Sequence, residues 1–148
     1  TVLFVCTGNS CRSVMAAALL KKKLSDARRT DVEVMSAGIM MAEGLGASYE
    51  TAQLLDADGI DVSSHRSRRV TKDMLNRADL ILVMEGAQEH RILQLHPSVK
   101  NRLFLLKEFA RVDGNDLNIP DPMGRDMRFY EHTYGIIKEA VEKVSQII

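Results

Sequence analysis

The chain has 148 residues, of which 45% are hydrophobic and 27% charged, a composition typical of one globular domain. Its twenty basic residues balance twenty acidic ones, which argues against a nucleic-acid-binding protein or one held at an anionic membrane. No apolar run approaches the roughly 20 residues that span a bilayer. We therefore expect a single domain, 1–148, that binds neither nucleic acid nor membrane.

Short apolar strands and helices alternate through the first half of the chain. β-Branched residues mark the strands, and apolar residues spaced three or four apart mark the helices. Gly38, Gly44 and Gly46 indicate a loop after the second strand. In chain order the predicted elements are a strand at Val2–Val5, a helix over 13–24, a strand at Val32–Met35 and a helix from about Ser48 to Gly59.

The second half continues the alternation. Leu80–Met84, LILVM, is typical of a buried strand, and the last helix carries apolar residues along one face. The predicted elements are a short helix from Thr71 to Ala78, the strand Leu80–Met84, a helix over 88–95, a strand at Leu103–Leu106, a loop to Asp126, and the helix Met127–Ile148 with Tyr130, Tyr134, Ile137, Val141, Val144 and Ile148 on its apolar face.

Strands separated by helices predict an α/β fold. We expect a three-layer, doubly wound sheet of about four parallel strands flanked by helices, of the flavodoxin or Rossmann type. In such sheets ligands bind beyond the carboxyl ends of the strands. The loop that follows Val2–Val5 is therefore the first candidate for a functional site.

That loop, CTGNSCRS at residues 6–13, has the composition of an anion site. Gly8 and Asn9 tolerate left-handed backbone angles, so that successive N–H groups can turn toward one ligand. The helix that begins near Ser13 adds the positive end of its dipole, and Arg12, expected at the rim, suits two phosphate oxygens. No Gly-Lys-Ser/Thr follows, which argues against nucleotide binding. The predicted phosphate-binding residues are Thr7, Gly8, Asn9, Ser10, Cys11 and Ser13.

Cys6 adds a nucleophile to this anion site. A helix N-terminus and an arginine favour the thiolate form of a nearby cysteine, and Ser13 can donate a hydrogen bond to the sulfur. The structural alternative is that Cys6 is a buried core thiol. Cys6 and Cys11 are the only cysteines, and no signal-peptide pattern precedes them, so we expect reduced thiols and a cytoplasmic location.

The motif Cys-x-Gly-Asn-x-Cys-Arg-Ser resembles the signature of the low-molecular-weight protein tyrosine phosphatases. Other matching segments follow in the family's order along the whole chain. They are Ser36-Ala37-Gly38, GIDVSSHRSR at Gly59–Arg68, ADLILVM at Ala78–Met84 with His90, and Asp121-Pro122.

The resemblance implies a two-step hydrolysis. Cys6 attacks phosphorus to form a phosphocysteine, Arg12 and the loop amides stabilise the phosphoryl oxygens, and Asp121 protonates the leaving atom. Physical reasoning favours a protonated acid facing an anion but does not select one acid on this loop. The candidates are Asp113, Asp116, Asp121 and Asp126, of which the last is interpreted as the cap of the final helix.

By the same resemblance, Asn9, Ser36 and His65 form a hydrogen-bond network that supports the loop. Without the resemblance, His65 would be interpreted as a histidine of a surface loop. The family also implies a reversible Cys6–Cys11 disulfide that protects the nucleophile, whereas the alternative for Cys11 is a small residue packed beneath the loop. The cysteines and scattered histidines have no zinc-ligand spacing, so no metal or other cofactor is expected.

The residues around the predicted site depart from the tyrosine-directed pattern. Ser10 stands where a large aliphatic residue is usual, and Met40 and Met123 stand where aromatic side chains often form the substrate walls. The chain is similar here to the bacterial protein arginine phosphatases, which carry Thr at the Ser10 position and share LKEFA at Leu106–Ala110 and AEG at Ala42–Gly44.

The expected partners are a phosphorylated protein and oxyanions such as phosphate or vanadate. Phosphotyrosine is the first substrate hypothesis and phosphoarginine the alternative. An arsenate reductase would need further cysteines after Cys11, and none follows. A non-catalytic phosphate-binding module would have no need for Cys6, Ser13 and Asp121 together.

Overall fold

Residues 1–40 and 43–148 are described in the computed structural model. Within them, short parallel strands alternate with helices, and a 3₁₀ helix at Pro97–Arg102 precedes the last strand. The elements are β1 Val2–Cys6, α1 Arg12–Asp26, β2 Val34–Gly38, α2 Tyr49–Ala57, α3 Lys72–Arg77, β3 Leu80–Val83, α4 Gly86–Leu95, β4 Leu103–Leu105, α5 Leu106–Phe109 and α6 Met127–Ile147.

The strands form one parallel sheet in the order β2-β1-β3-β4. β1 lies inside the sheet, where Val5 pairs with Ala37 of β2 on one side and with Val83 of β3 on the other. All five residues of β1 are buried. The predicted α/β fold with four parallel strands is therefore confirmed.

Alternate residues of β1 face two helical layers. Phe4 belongs to a buried cluster that includes residues of α1 and α6, such as Leu20 and Ile137. Leu3 belongs to a second cluster, which includes Ile92 of α4. Helices therefore cover both faces of the sheet, as a doubly wound fold requires.

α6 matches its predicted face closely. Tyr130, Tyr134, Ile137, Val141 and Val144 are all buried, and the helix packs mainly against α1. Among the described residues, no helix has the length and apolar character needed to cross a membrane.

Some predicted strand boundaries were wrong. β2 begins at Val34 rather than Val32 and runs on through Gly38, because its register is set by pairing Val34 with Val2 and Gly38 with Cys6. β4 ends at Leu105, since Leu106 already begins α5. Apolar runs do not reveal where a ladder of hydrogen bonds starts or stops.

The order of the sheet brings two loops together. The chain leaves β1 toward α1 on one face and leaves β3 toward α4 on the other. A crevice therefore opens between the carboxyl ends of β1 and β3, the usual ligand site of doubly wound sheets. The loop after Cys6 and the turn after Val83 meet there.

Candidate active site

The loop that follows β1 turns at Asn9. The φ angle of Asn9 is 50°, in the left-handed region, whereas Gly8 has no positive φ. Of the two residues that tolerate left-handed angles, Asn9 is therefore the one that adopts them. A Cβ on Gly8 would lie 3.6 Å from Ser10 Oγ and 3.9 Å from Met123 Cε, so the glycine leaves space at the mouth of the site.

The loop presents several backbone N–H groups without partners. Within the described part of the chain, the N–H groups of Gly8 and of residues 10–13 donate no hydrogen bond. They include the first N–H groups of α1, which begins at Arg12. Unsatisfied N–H groups at a helix N-terminus favour an anion.

The Cys6 thiol lies at the base of this loop. Cys6 is buried, its Sγ lies 3.0 Å from Ser13 Oγ, and it accepts a hydrogen bond from the Asn9 N–H at 3.2 Å. Reactive cysteines are typically found near hydrogen-bond donors and helix N-termini. Cys6 lies in such surroundings.

Asn9 joins the loop to two other segments. Its Nδ2 donates to Ser13 Oγ at 2.8 Å and to Ser36 Oγ at 3.0 Å, and its Oδ1 accepts from the Arg68 N–H at 3.0 Å. The side chain is fully buried, so these bonds compensate for its lost hydration. The side chains of Asn9 and Ser13 therefore support the loop, and neither lines the cavity described below.

His65 supports the same loop from outside. Its Nε2 lies 2.8 Å from the Asn9 carbonyl oxygen, which can only accept, so Nε2 carries the proton. Partial burial lowers the pKa of His65, and the positive charges of Lys21, Arg68 and Arg66 add to this effect. His65 therefore favours its neutral form.

Arg12 is buried rather than exposed at the rim. Arg12 is 1% exposed. Its Nη1 donates to the Glu85 carboxylate and, at 2.8 Å, to the Ile119 carbonyl oxygen. Its Nη2 lies 3.7 Å from Asp121 Oδ2. The predicted rim position was wrong, because this carboxylate and this carbonyl compensate for burying the charge. Both hold the guanidinium in one orientation.

A cavity of about 130 Å³ lies between the loop and the segment that follows Ile119. Two exposed methionines stand at its mouth, Met40 at 70% and Met123 at 55% exposure. The lining residues are Cys6, Thr7, Gly8, Ser10, Cys11, Arg12, Met40, Asp121 and Met123. The structure thus brings together nine of the residues that the sequence singled out.

Asp121 is the one of the four acidic candidates that lines this cavity. Asp126 accepts from the Phe129 N–H at 3.1 Å and caps α6, as predicted. Asp116 accepts from the Asn118 N–H at 2.9 Å, and Asp113 is exposed. Among the described residues, no three His, Cys, Asp or Glu side chains are grouped so as to hold a metal ion.

Cys11 lies among hydroxyl groups. Its buried Sγ is 3.6 Å from Ser10 Oγ, 3.4 Å from Ser48 Oγ and 3.6 Å from the Tyr130 hydroxyl. Burial, followed by the bond to Cys11, raises the pKa of Tyr130. Both cysteines are free thiols in this structure, and the disulfide with Cys6 stays a prediction.

Sequence reasoning missed Glu85 and Gln88. Gln88 is buried, and its Nε2 donates to Thr7 Oγ1 at 3.1 Å. Its Oε1 accepts from the Met84 N–H at 2.8 Å and from the Glu85 N–H at 3.0 Å. A Glu after an apolar strand with Gln three residues later is a helix-start pattern. That pattern could have been found, but α4 was predicted to begin at Gln88 instead of Gly86.

Comparison with known proteins gives one consistent family. The model of the low molecular weight phosphotyrosine protein phosphatases matches residues 1–148. A probable low molecular weight protein-tyrosine-phosphatase, EpsP, of Ralstonia solanacearum is 40% identical over 142 residues, which cover 96% of this chain and 91% of that protein. A protein-arginine-phosphatase of Geobacillus stearothermophilus is 37% identical over 145 residues, 98% and 93% of the two chains.

Solved structures agree in fold. The YwlE arginine phosphatase of Geobacillus stearothermophilus superimposes with a TM-score of 0.88 at 36% identity, over 98% of this chain and 90% of that one. The low molecular weight protein tyrosine phosphatase of T. tengcongensis gives 0.92 at 33% identity, over 99% and 98%. The chain therefore belongs to the low molecular weight phosphotyrosine protein phosphatase family, which its motifs predicted.

Proposed function

We propose that this protein is a protein phosphatase that hydrolyses phosphotyrosine-type phosphomonoesters through a phosphocysteine on Cys6. The observation that carries the proposal is that Cys6, Arg12 and Asp121 line one cavity of about 130 Å³. A nucleophile, a fixed cation and an acid around one small space are the groups that phosphoryl transfer needs.

In the first step the Cys6 thiolate attacks phosphorus. An S–P bond forms while the P–O bond to the leaving group breaks, and the leaving oxygen takes a proton from Asp121. The N–H groups of Gly8 and residues 10–13 and the Nη2 of Arg12 stabilise the phosphoryl oxygens. Ser13, 3.0 Å from the sulfur, steadies the thiolate as attacking and leaving group.

In the second step water attacks the phosphocysteine. Its proton passes to the Asp121 carboxylate, the S–P bond breaks, and inorganic phosphate leaves with the Cys6 thiolate restored. Neither step requires a metal or an organic cofactor. Phosphate is the product and vanadate resembles it, so both oxyanions are expected ligands of the cavity.

A protein arginine phosphatase is the second candidate function. Ser10 lines the cavity with a small hydroxyl, and its walls are the thioethers of Met40 and Met123 instead of aromatic rings. The 37% identity to the protein-arginine-phosphatase of Geobacillus stearothermophilus also favours it. The same chemistry then breaks a P–N bond, with Asp121 binding the guanidinium and protonating its nitrogen. The similarity at Ala42–Gly44 falls partly outside the described residues.

Further expectations accompany this function. We infer that residues 1–148 form one domain that works in the cytoplasm, where Cys6 and Cys11 stay reduced. We also infer that these two cysteines form a reversible disulfide when the enzyme meets an oxidant. Asn9, Ser36 and His65 are proposed as the residues that hold the loop.

The reaction is tested with an aryl phosphate. The wild type is expected to hydrolyse phenyl phosphate, and Cys6→Ser to lose about 10⁴-fold or more in kcat, a typical loss for a removed nucleophile. Cys11→Ser is the matched control and is expected to keep most of the activity. A wild-type protein that binds vanadate without hydrolysing phenyl phosphate would instead be a phosphate-binding module.

The substrate class is tested by comparing kcat/KM on phosphotyrosine and phosphoarginine peptides. Ser10→Ile is expected to shift the ratio toward phosphotyrosine, because the larger side chain fills the space open to a guanidinium. Ser10→Thr, which keeps the hydroxyl, is the control and should leave the ratio near that of the wild type. An unchanged ratio in Ser10→Ile would remove Ser10 from the choice of substrate.

A further inference from the structure

The side-chain amide of Gln88 has one orientation that satisfies its neighbours. Its Oε1 accepts from the Met84 N–H at 2.8 Å and from the Glu85 N–H at 3.0 Å. Turning the amide over would point its NH₂ group at these two N–H donors, and an amide NH₂ group cannot accept. Because Gln88 is buried, water cannot replace the lost partners. Its Nε2 is therefore the atom that faces Thr7.

This amide determines what the Thr7 hydroxyl can do. Gln88 Nε2 lies 3.1 Å from Thr7 Oγ1 and can only donate, so the hydroxyl oxygen accepts this bond. A hydroxyl group has one proton and two lone pairs, of which Gln88 uses one lone pair. The Thr7 O–H is left to donate to a different group. Within residues 1–40 and 43–148, no acceptor takes its proton.

The free O–H group belongs to the cavity that Cys6 lines. Thr7 is one of the lining residues, and it is exposed, whereas Cys6 and Arg12 are buried. The Met40 N–H donates to the Thr7 carbonyl oxygen at 3.0 Å, so Thr7 lies beside the exposed methionine at the mouth. The hydroxyl therefore belongs to the mouth of the cavity and not to its buried base.

The base and the mouth meet different parts of a phosphomonoester. In the proposed mechanism the loop N–H groups and the Arg12 guanidinium bind the phosphoryl oxygens. The leaving oxygen points away from Cys6, because the attacking and leaving atoms lie roughly in line across phosphorus. It therefore points to the mouth, where Thr7 and the partly exposed Asp121 lie.

We propose that the Thr7 hydroxyl, oriented by Gln88, donates a hydrogen bond to the leaving oxygen of the substrate. One lone pair of that oxygen takes the proton from Asp121, and the other accepts from Thr7. The bond strengthens as the P–O bond breaks and negative charge develops on the oxygen, so it stabilises the transition state. Thr7 is thus a catalytic residue and Gln88 a positioning residue. The proposal rests on the proposed function and adds a group to it.

The test compares kcat/KM on two aryl phosphates that share a phosphoryl group. Phenoxide is a poor leaving group, whereas 4-nitrophenoxide is a good one and needs less stabilisation. Thr7→Val removes the hydroxyl at nearly constant shape. We expect kcat/KM to fall about tenfold on phenyl phosphate and about twofold on 4-nitrophenyl phosphate, the range of one hydrogen bond to a more and a less charged acceptor. Thr7→Ser, the matched control, keeps the hydroxyl and should keep the wild-type ratio of the two values.

Gln88→Glu tests the orienting bond. One carboxylate oxygen can still accept from the two backbone N–H groups, which also favour the ionised form. The other oxygen faces Thr7 as an acceptor and takes the hydroxyl proton away from the substrate. The ratio should then change as in Thr7→Val, and no further when the two substitutions are combined. A lost contact elsewhere, or the added charge, would lower both kcat/KM values alike and leave their ratio unchanged.

Equal losses on the two esters in Thr7→Val would overturn the proposal, since they would place the hydroxyl against the phosphoryl oxygens that the esters share. A wild-type ratio in Gln88→Glu would overturn the positioning role of Gln88. A wild-type protein that hydrolyses neither ester would instead contradict the proposed function, and this contact with it.

Discussion

The two segments that face the cavity are built in opposite ways. In the phosphate loop, residues 6–13, Cys6, Asn9 and residues 11–13 are buried. The loop is held through Asn9 to Ser13, Ser36, His65 and Arg68. The acid segment, residues 110–126, has no regular structure after α5, and the Asp121 side chain is 45% exposed. Cys6, the proposed nucleophile, is thus placed by a network of hydrogen bonds, and Asp121, the proposed acid, by few bonds.

The hydrogen bonds that attach the acid segment to the turn after β3 are made by residues 118 and 119, before Asp121. Ile119 donates its N–H to the Met84 carbonyl at 2.9 Å, and Asn118 Oδ1 accepts from the Gly86 N–H at 2.8 Å. Beyond Asp121 the bonds are local, such as the Met123 N–H to Asp121 Oδ1 at 3.0 Å. Residues 6–13 are thus held by bonds to several distant segments, whereas the acid segment has few such bonds near Asp121. If the proposed function is right, the group that binds phosphate is pre-organised more firmly than the acid.

Among the changes that test this comparison of the two segments, removing the acid has the largest expected effect. Asp121→Asn should lower kcat on phenyl phosphate by about 10²–10⁴-fold, the usual contribution of a general acid. Stability in urea should hardly change, because the side chain is partly exposed. Asp126→Asn is the matched control and should keep wild-type kcat, since Asn caps a helix as well as Asp. Equal losses in the two variants would contradict the assignment of Asp121.

The next prediction compares one asparagine in each segment. Asn9→Ala should lower the free energy of unfolding by about 2–4 kcal/mol, because three hydrogen bonds are lost and alanine fits the left-handed backbone poorly. Asn118→Ala removes one exposed bond and should cost at most about 1 kcal/mol. Urea unfolding measures both. Similar costs would show that the two segments are held equally firmly.

Gln88 tests how the turn after β3 supports the phosphate loop. Gln88→Leu leaves the Thr7 hydroxyl and two backbone N–H groups without their partner, so we expect a loss of about 1–3 kcal/mol in unfolding free energy. Movement of Thr7 should also lower kcat/KM severalfold. Gln94→Leu, an exposed change on α4, is the control and should stay within about 0.5 kcal/mol of the wild type. A kcat/KM equal to that of the control would limit Gln88 to a structural role.

The smallest expected effect is on pH dependence. The pKa of His65 is lowered below its ordinary value near 6.5, mainly by burial, so the folded state binds fewer protons than the unfolded chain. Its stabilising contribution is complete above that value and is lost as pH falls through the lowered pKa. His65→Gln should therefore lose less stability than the wild type on acidification from about pH 7.5 to 5, measured by urea unfolding. Parallel profiles for the two proteins would contradict this account.

The sequence predicted the phosphate loop better than it predicted its surroundings. Residues 6–13 lie between one strand and one helix, so their proximity follows from the covalent chain and local turn preferences. Asp121 was selected by resemblance alone, and Glu85 was missed, because both reach Arg12 across long stretches of chain. Neither the hydrophobic periodicity nor the composition of a segment specifies contacts between residues so far apart in the sequence.

By itself the sequence determined the α/β alternation, the buried face of α6 and the strand-to-helix loop at residues 6–13 for which anion binding is proposed, because these depend on periodicity and on neighbouring residues. The tertiary structure decided which strands pair, and thereby placed Glu85 and Gln88 beside the phosphate loop at the crevice between β1 and β3. It also decided that Arg12 is buried. A charge can be buried only where distant partners compensate for its lost hydration, and only the complete fold supplies them.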